Sequence, residues 1–459
     1  MAAIETPKPR FPSTFWTANT IELFERAAYY AMASFMVIYL HENLGMTPSQ
    51  ATTLNSSVLW ALVYFMPILS GTLADKLGYR RSLGFSFVLI ALGYLIMGNL
   101  QRFWPGIAGA EADGRLDFFW PVLLGIVLIG LGASIVKPCV AGTVQKTAGT
   151  RATLAFGIFY MVINIGSITG RSIAYVVRTN FGIPAIFTYV SAIFALVGLA
   201  VTLFVYREPE FVSDGIKDGQ TVRKKTLGQA LLGIFIVLRN LKFLFLMIVL
   251  ALFWFLYLQV YNLIPLFMRH VDPEAPMELY TLANPIMIVC FQILITKAFK
   301  KWTPVRTILL GAVVMTAGML VNVLPTLLSG DITRKIDVLG LAIPFAGIFV
   351  IVSIASMAAG EMMASPRIYE YIGAIAPKGQ EGLFMGYVSL PIALASLAGG
   401  KLGGRMFERF ISEPVAGGRP AEYLTMWLII AATGLASIVG LIIYNALVRK
   451  TGGGGGAKG

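Results

Sequence analysis

Apolar residues in this chain come in long uninterrupted runs rather than in alternation with polar residues. Twelve of these runs reach about 20 residues, the length at which an α-helix crosses a bilayer. Strands of a membrane barrel would alternate apolar and polar positions, so the pattern predicts an all-α membrane protein. The predicted spans are 15–40, 53–74, 81–100, 119–144, 152–177, 185–206, 242–269, 279–300, 305–328, 336–363, 381–410 and 423–448.

Polar segments between the runs predict how the chain is organised. Six spans precede one long polar segment and six follow it, which is typical of two related bundles with a binding site between them. The long segment begins as a charged loop and ends in an amphipathic stretch suited to the membrane surface. The predicted parts are a cytoplasmic N-terminal segment at 1–14, an N-terminal six-helix bundle at 15–206, a cytoplasmic linker at 207–241, a C-terminal six-helix bundle at 242–448 and a disordered cytoplasmic tail at 449–459.

Composition and charge support a membrane protein and disfavour other classes. Only 13% of the residues are charged, against about 25% in soluble domains. The net charge is +13, but the basic residues lie in short loops after the even-numbered spans, as expected for cytoplasmic loops. This distribution puts both termini in the cytoplasm and offers no basic stripe for nucleic acid.

Cysteine and histidine usage indicates neither a disulfide framework nor a metal site. Cys139 and Cys290 lie inside apolar runs, where buried small side chains are expected. His41 and His270 fall near predicted helix ends, without a cluster of other ligands. The loops contain no nucleophile–base pair or phosphate-binding motif, which disfavours an enzyme.

Ionisable residues inside the first span are the strongest sign of a functional site. The residues Glu22, Glu25, Arg26, Tyr29 and Tyr30 recur at helical spacing and form one face of one helix. Charges inside an apolar helix are costly unless they are paired and face protein or water. This face is therefore predicted to look into a cavity or a polar network.

Polar residues in later spans extend the candidate site: Lys137, Asn164, Arg171, Asn284 and Glu361. Lys137 lies too deep in its span for snorkelling to explain it, so a functional role is favoured. Asn164 and Asn284 fit hydrogen bonds between helices as well as they fit ligand contact. Glu361 is either a paired structural charge or a proton or substrate site, and the second interpretation is favoured.

The turn between the second and third spans resembles a known motif. Gly71, Asp75, Gly78 and Arg80 match the GxxxDxxGxR loop of the major facilitator superfamily. Glycines permit close helix approach and a tight turn, Asp75 can cap a helix or pair with a base, and an arginine can meet a helix C-terminus. These four residues are expected to serve gating and stability rather than substrate contact.

The charged face of the first span is similar to a more specific signature. It resembles the ExxERFxYYG motif of the proton-coupled oligopeptide transporter family, with Ala27 and Ala31 in place of phenylalanine and glycine. Further matches follow in order along nearly all twelve spans: Tyr64 with Pro67, Lys137-Pro138, Phe159-Tyr160 with Asn164 and Ser167, Phe253-Trp254 with Gln259, Asn284-Pro285, and Gly360-Glu361 with Ser365-Pro366. The chain is identified as a divergent member of this family.

The resemblance implies a fold and an activity. The fold is that of the major facilitator superfamily, with twelve transmembrane helices in two six-helix bundles. The implied activity is secondary active transport, a proton-coupled symport of di- and tripeptides by alternating access. The expected partners are a small peptide, protons and the lipid bilayer, the energy source is a proton gradient without a cofactor, and a monomer in a bacterial inner membrane is expected.

Site roles follow from the same resemblance. In the family, the substrate carboxylate is held at the positions of Arg26 and Lys137, and the amino end at that of Glu361 and the two asparagines. The implied substrate-binding residues are Arg26, Tyr29, Tyr30, Tyr64, Lys137, Asn164, Asn284 and Glu361, and the implied proton-coupling residues are Glu22, Glu25 and Arg26. Opposite charges at two poles suit a zwitterionic peptide.

Two departures from the family bear on the mechanism. Ala33 and Leu258 replace a base and an acid that pair across the extracellular gate in many members, which puts the usual route of proton-driven gating in doubt. Arg171 is an added charge, one turn after Ser167. We hypothesise that Arg171 either enlarges the cationic pole, which would favour acidic peptides or another anion, or pairs with a glutamate of the first span. Arg367 and Glu370, which follow Glu361 on the tenth span, add further charge, and they fit a paired helix end as well as they fit a functional role.

Two other functions remain open from the sequence. One is a facilitator-superfamily transporter of another small organic anion or peptide-like compound, with altered or absent proton coupling. The other is a membrane substrate sensor that binds without significant flux. A sensor is typically accompanied by a sizeable soluble domain or long tail, and neither is evident.

Overall fold

The computed structural model describes residues 11–107, 119–209, 239–338, 340–376, 384–385 and 387–450. Most of the predicted linker at 207–241, with its amphipathic stretch, lies outside these residues. The same holds for the predicted tail and for most of the segment at 1–14.

Helices α1 to α6 form the first half of the chain. Their bounds are Ser13–Ala33, Met36–Ile38 and Tyr39–Asn43 for α1; Pro48–Thr52, Thr53–Trp60, Ala61–Phe65 and Pro67–Leu77 for α2; Tyr79–Gly98 for α3; Phe119–Ala148 for α4; Ala152–Phe181 for α5; and Ile183–Phe204 for α6. Short helical turns at Leu100–Phe103 and Gly149–Arg151 connect them. A capping box starts α2, because the Thr47 side chain accepts from the Gln50 amide at 3.3 Å and the Gln50 side chain accepts from the Thr47 amide at 2.8 Å.

Helices α7 to α12 and one β-hairpin form the second half. Their bounds are Leu241–Leu258 and Leu263–Val271 for α7; Met277–Thr281 and Ala283–Ala298 for α8; Pro304–Leu320, Val321–Val323 and Leu324–Leu328 for α9; Lys335–Val338 for β1; Leu341–Pro344 for β2; Phe345–Ile375 for α10; Leu390–Phe407, Glu408–Ser412 and Glu413–Ala416 for α11; and Tyr423–Lys450 for α12. The Asn240 side chain caps α7 by accepting from the Phe243 amide at 3.1 Å.

Ten helices in the described residues are long and apolar enough to cross a membrane, namely α2 to α10 and α12. The other two predicted spans, α1 and α11, are also helical. Their apolar sequence is broken by charged residues, including Arg26 in α1 and Arg405 in α11. Large apolar side chains such as Phe204, Ile293 and Leu397 are exposed on the outside of the bundle, as expected of a surface that faces lipid. The predicted all-α membrane fold is confirmed.

The start of the tenth predicted span was wrong. The span was expected at 336–363, yet α10 begins only at Phe345 and an antiparallel hairpin precedes it, with Lys335 opposite Pro344. Gly340, at φ +83°, occupies the turn and its amide donates to the Asp337 side chain at 2.9 Å. The apolar residues of β2 run directly into the helix, so hydrophobicity alone could not separate the two elements.

Cysteine burial agrees with only one of two predictions. Cys139 is buried in α4, as predicted. Cys290 is exposed on α8, so its predicted buried role is wrong. An apolar run fixes the presence of a membrane helix but not its rotation, and Cys290 lies on the outward side of α8.

Successive helices cross in alternate directions, which defines two faces of the molecule. The hairpin face carries the connections at 44–47, 182, 272–276, 329–344 and 417–422, and the linker face carries those at 78, 149–151, 205–209, 239–240 and 299–303. Between the halves, α1 packs on α7, α2 on α11 and α5 on α8. The interruptions of α1 at 34–35 and of α7 at 259–262 lie near the candidate site.

Candidate functional site

Arg26 forms the centre of a buried charged cluster on α1. Its Nε lies 3.4 Å from the Glu22 carboxylate and also donates a hydrogen bond to Glu25. The guanidinium lies 5.2 Å from the Tyr29 ring centroid and 6.0 Å from that of Tyr30. The helical spacing seen in the sequence thus brings the five predicted residues together. Two carboxylates lie beside one guanidinium in this cluster.

Arg171 is fully buried on α5 and is held by neutral partners. It donates to the Ser34 hydroxyl at 3.3 Å, to Ser167 and to the Tyr261 hydroxyl at 3.0 Å. Its guanidinium also lies 4.6 Å from the Tyr30 ring centroid. In the described residues it forms no ion pair, so the hypothesised pairing with a first-span glutamate is not realised in this structure. Arg26 and Arg171 instead flank the same tyrosine.

Lys137 adds a third cation to this side. It precedes Pro138, the proline inside α4, and its Nζ lies 5.7 Å from the Tyr64 ring centroid. Lys137, Tyr64 and Tyr30 are only partly buried, so they line a space accessible from outside the packed core. Lys137 has no ion-pair partner in the described part of the chain, which leaves its charge available to an anion.

The acidic pole comes from the second half. Glu361 on α10 is partly exposed and accepts a hydrogen bond from the Asn284 amide on α8 at 3.1 Å. No basic residue forms an ion pair with Glu361 among the residues described. Asn164 behaves differently, because its amide donates to the Tyr160 carbonyl of its own helix at 2.9 Å. The structure therefore joins Asn284 to Glu361, but no hydrogen bond joins Asn164 to either.

Aromatic side chains connect the two poles, and several were not singled out from the sequence. The Trp60 ring stacks on Tyr64 at 5.5 Å and lies 5.1 Å from Tyr261 of the other half. Tyr257 lies 6.0 Å from Tyr261 on the same helix. The sequence does contain a signal for these rings, because aromatic residues four apart lie on the same face of a helix. The two pairs are Trp60 with Tyr64 and Tyr257 with Tyr261.

The predicted gating loop forms a compact turn on the linker face. Gly78 adopts φ +89° between α2 and α3, a conformation that favours glycine. The Arg80 side chain donates to the Leu203 carbonyl at 2.5 Å, and its amide donates to Glu208 at 2.8 Å. Arg80 thus meets the C-terminus of α6, where a cation is favoured.

The other two motif residues lie on α2. Gly71 lies against α4, since a Cβ placed on it would contact Pro138 at 3.5 Å. Asp75 lies in α2, and its side chain is outside the described part of the structure.

Two ion pairs on the hairpin face were missed by the sequence analysis. Arg178 of α5 pairs with Glu278 of α8 at 2.9 Å, and Arg269 of α7 pairs with Glu42 of α1 at 2.5 Å. The Glu278 side chain lies fully buried in the first turn of α8. The signal available was an arginine and a glutamate just inside the ends of two apolar runs.

Comparison with known proteins identifies the scaffold. The sequence model of the Major Facilitator Superfamily matches residues 21–333. The chain belongs to the Major Facilitator Superfamily. This facilitator-superfamily chain is therefore a transporter rather than an enzyme, as predicted.

Individual relatives point to one branch of the superfamily. Dipeptide and tripeptide permease A of Erwinia pyrifoliae is 25% identical over 448 residues, which cover 86% of this chain and 86% of the relative. A crystal structure of a POT family transporter in complex with 5-aminolevulinic acid has a TM-score of 0.72 at 19% identity, with 96% of each chain covered. A structure of a proton-dependent oligopeptide transporter has a TM-score of 0.68 at 21% identity and covers 95% of this chain and 98% of its own. The predicted resemblance to oligopeptide transporters is confirmed.

Proposed function

We propose that this chain is a proton-coupled symporter of di- and tripeptides that works by alternating access. The observation that carries the proposal is a pair of opposite, incompletely neutralised poles in one aromatic-lined space. Lys137 comes from the first half and Glu361 from the second, and neither forms an ion pair in the described residues. The name of the Erwinia relative, a dipeptide and tripeptide permease, supports the same substrate class.

A zwitterionic peptide neutralises both poles at once. Its carboxylate is placed beside Lys137 and the Arg26–Arg171 pair that flanks Tyr30, and its ammonium is placed beside Glu361. Each terminus loses water on entry, and a charged hydrogen-bond partner compensates that cost. The rings of Trp60, Tyr64 and Tyr261 contact the peptide between its termini, which tolerates varied side chains.

Proton coupling is assigned to the Glu22–Glu25–Arg26 cluster. The peptide carboxylate competes with two glutamates for Arg26. A proton from the water-filled pathway, added to one of these carboxylates, removes a negative charge and frees part of Arg26 for the substrate. Binding of the proton and binding of the peptide then favour each other, which is the thermodynamic requirement of symport.

Alternating access requires two closures around this site. Contacts between the halves close the hairpin face here, including Ser34 with Thr281 at 3.0 Å and Asn55 with Asn262 at 2.9 Å. Opening that face breaks these contacts. We assign the linker face and both termini to the cytoplasmic side of a bacterial inner membrane, because the basic loops on that face follow the positive-inside pattern. One chain suffices as a monomer, because its own two halves form the site.

Uptake of labelled Ala-Ala into proteoliposomes tests the proposal. We expect accumulation when the gradient drives protons inward and none without it. Matched vesicles with Glu25→Gln should lose gradient-driven accumulation, because the cluster can no longer exchange that proton. Folded wild-type protein that moves no dipeptide under either condition would rule the proposal out.

A further inference from the structure

The two ion pairs that join the halves at the hairpin face differ in their environment. Glu278 is fully buried and the Arg178 side chain is 12% exposed. Glu42 is 32% exposed and Arg269 is 17% exposed. Water screens the charges of the Arg269–Glu42 pair. In the Arg178–Glu278 pair little water reaches the charges, so each charge is stabilised mainly by the other.

Glu278 is incompletely satisfied even in the closed arrangement. Its Oε1 accepts from Arg178 at 2.9 Å, while its Oε2 is buried without a hydrogen-bond partner among the described residues. Among the described residues, Arg178 is the ion-pair partner of this carboxylate. When the halves separate, the carboxylate must gain either water or a proton, because a bare buried charge is too costly.

The neighbouring charged groups leave Arg178 as the dominant partner. Arg269 on α7 is engaged by Glu42, and Asp272, directly after α7, is engaged by Lys335 of the hairpin at 3.5 Å. Among the described residues, Arg178 and Arg269 are the charged groups that act on Glu278, and Tyr280 lies near it on α8. Tyr175 of α5 lies against Arg178, Asp272 lies near Tyr280 and pairs with Lys335, and Gly347 of α10 faces the Tyr280 hydroxyl.

We propose that Glu278 is the proton-accepting residue that controls opening of the hairpin face. A proton from water on that side adds to the carboxylate, the attraction to Arg178 is lost, and α5 and α8 separate. When the face closes again, the approach of Arg178 favours the ionised carboxylate and expels the proton. The inference rests on the proposed symport and supplies an ionisable gate pair where Ala33 and Leu258 provide none.

The position of Glu278 also links this gate to the candidate site. The Thr281 hydroxyl, one turn further along α8, bonds the Ser34 hydroxyl at 3.0 Å, and Arg171 donates to Ser34 at 3.3 Å. Separation of α8 from α5 therefore pulls directly on a partner of Arg171. Occupancy of the cationic pole and the state of the gate are coupled through these three side chains.

Pulsed EPR distances across the hairpin face provide the test. Spin labels at Asn180→Cys and Arg419→Cys, both exposed on that face, report on one half each, in protein with Cys139 and Cys290 replaced by alanine. For wild type we expect the ratio of open to closed molecules to rise on acidification, by at most about tenfold per pH unit for one proton. Glu278→Gln should be open at every pH, and the control Glu42→Gln should keep the wild-type response.

Two results would overturn the inference: a wild-type distance independent of pH, or a Glu278→Gln protein that keeps the wild-type pH response. If Glu278→Gln cannot be purified, Glu278→Asp serves instead, and the shorter side chain should raise the open fraction across the pH range. Binding of Ala-Ala by the same samples, measured by calorimetry, separates the two proposals. Absent binding in wild type contradicts peptide transport, whatever the distances show.

Discussion

At the scale of single residues, the least expected feature is a buried arginine with no acidic partner in the part of the chain that the structure describes. Arg171 uses its fork of donors to reach α1, α5 and α7 at once, through Ser34, Ser167 and Tyr261. A guanidinium suits this task because its donors are spread in a fixed plane, whereas an ammonium is a compact point charge. Shape as well as charge is therefore required at this position.

Replacement of Arg171 by lysine tests that requirement. We expect Arg171→Lys to weaken Ala-Ala binding about tenfold, or ~1.4 kcal/mol, because the charge remains but the geometry around Tyr30 is lost. Arg367→Lys is the control. Arg367 lies away from the site and pairs with Glu370, with 2.6 Å between the charged atoms. Equal affinities of wild type and Arg171→Lys, by isothermal titration calorimetry, would show that position 171 supplies only charge or nothing.

Residue types predicted most of the candidate site but not its contacts. Charges within apolar runs are rare enough to identify Arg26, Lys137 and Glu361 from sequence. The partners of Arg171 and the burial of Glu278 depend on how helices distant in sequence are rotated and aligned, which no local pattern encodes. Trp60 was not identified from the sequence because aromatic residues are common in membrane helices, where most of them serve packing.

At the scale of elements, the close approach of α1 and α5 positions the charged cluster. Gly166 faces the Leu23 carbonyl and the Arg26 side chain, and Gly170 faces the Ala27 carbonyl. The small residue at position 27, a departure from the resembled motif, lies buried at this crossing. Close backbone approach between small residues is a common way to pack helices in membranes.

A larger side chain at the crossing of α1 and α5 should destabilise the protein. A Cβ added at Gly166 would lie 2.7 Å from the Leu23 carbonyl oxygen, so Gly166→Ala should cost about 1–3 kcal/mol of stability and lower the thermal midpoint. Gly157→Ala on the same helix is the control, because a Cβ there meets nothing within 4 Å. Alanine has a higher helix propensity than glycine, so Gly157→Ala should be as stable as wild type or more stable. Equal midpoints for both variants would contradict the packing argument.

Element boundaries were predictable where polarity changes and not elsewhere. Helices such as α4 and α12 begin at the predicted positions because charged residues come shortly before each apolar run in the sequence. The β-hairpin before α10 was absorbed into a predicted span, since its second strand is as apolar as the helix that follows. Gly340 and the Asp337 side chain determine that turn through a local hydrogen bond, a signal weaker than the hydropathy around it.

At the scale of the whole molecule, the two halves are joined at the hairpin face. The contacts range from buried hydroxyl pairs to ion pairs, and α2 of one half packs along α11 of the other, where the Ser57 hydroxyl donates to the Leu397 carbonyl at 2.8 Å. Transport by alternating access requires all of these contacts to separate together.

A reversible cross-link tests that requirement. Ser34→Cys with Thr281→Cys puts two thiols at a contact between the halves where the hydroxyls are 3.0 Å apart, within reach of the ~2 Å bond of a disulfide. Oxidation should abolish Ala-Ala uptake and a reductant should restore it. Asn322→Cys with Ser353→Cys, a pair within the second half at 2.8 Å, is the matched control. Uptake that survives the inter-half cross-link would contradict separation of the hairpin face.

Affinity for end-capped peptides most directly tests the central claim, that two opposite poles hold the two ends of one peptide. Calorimetry would compare Ala-Ala, N-acetyl-Ala-Ala and Ala-Ala-amide on wild type, Lys137→Ala and Glu361→Gln. We predict that Lys137→Ala weakens Ala-Ala binding about tenfold or more but leaves the already weak binding of Ala-Ala-amide unchanged, and that Glu361→Gln does the same for the acetylated peptide. If each variant weakens all three peptides equally, the poles do not recognise separate ends and the account is wrong.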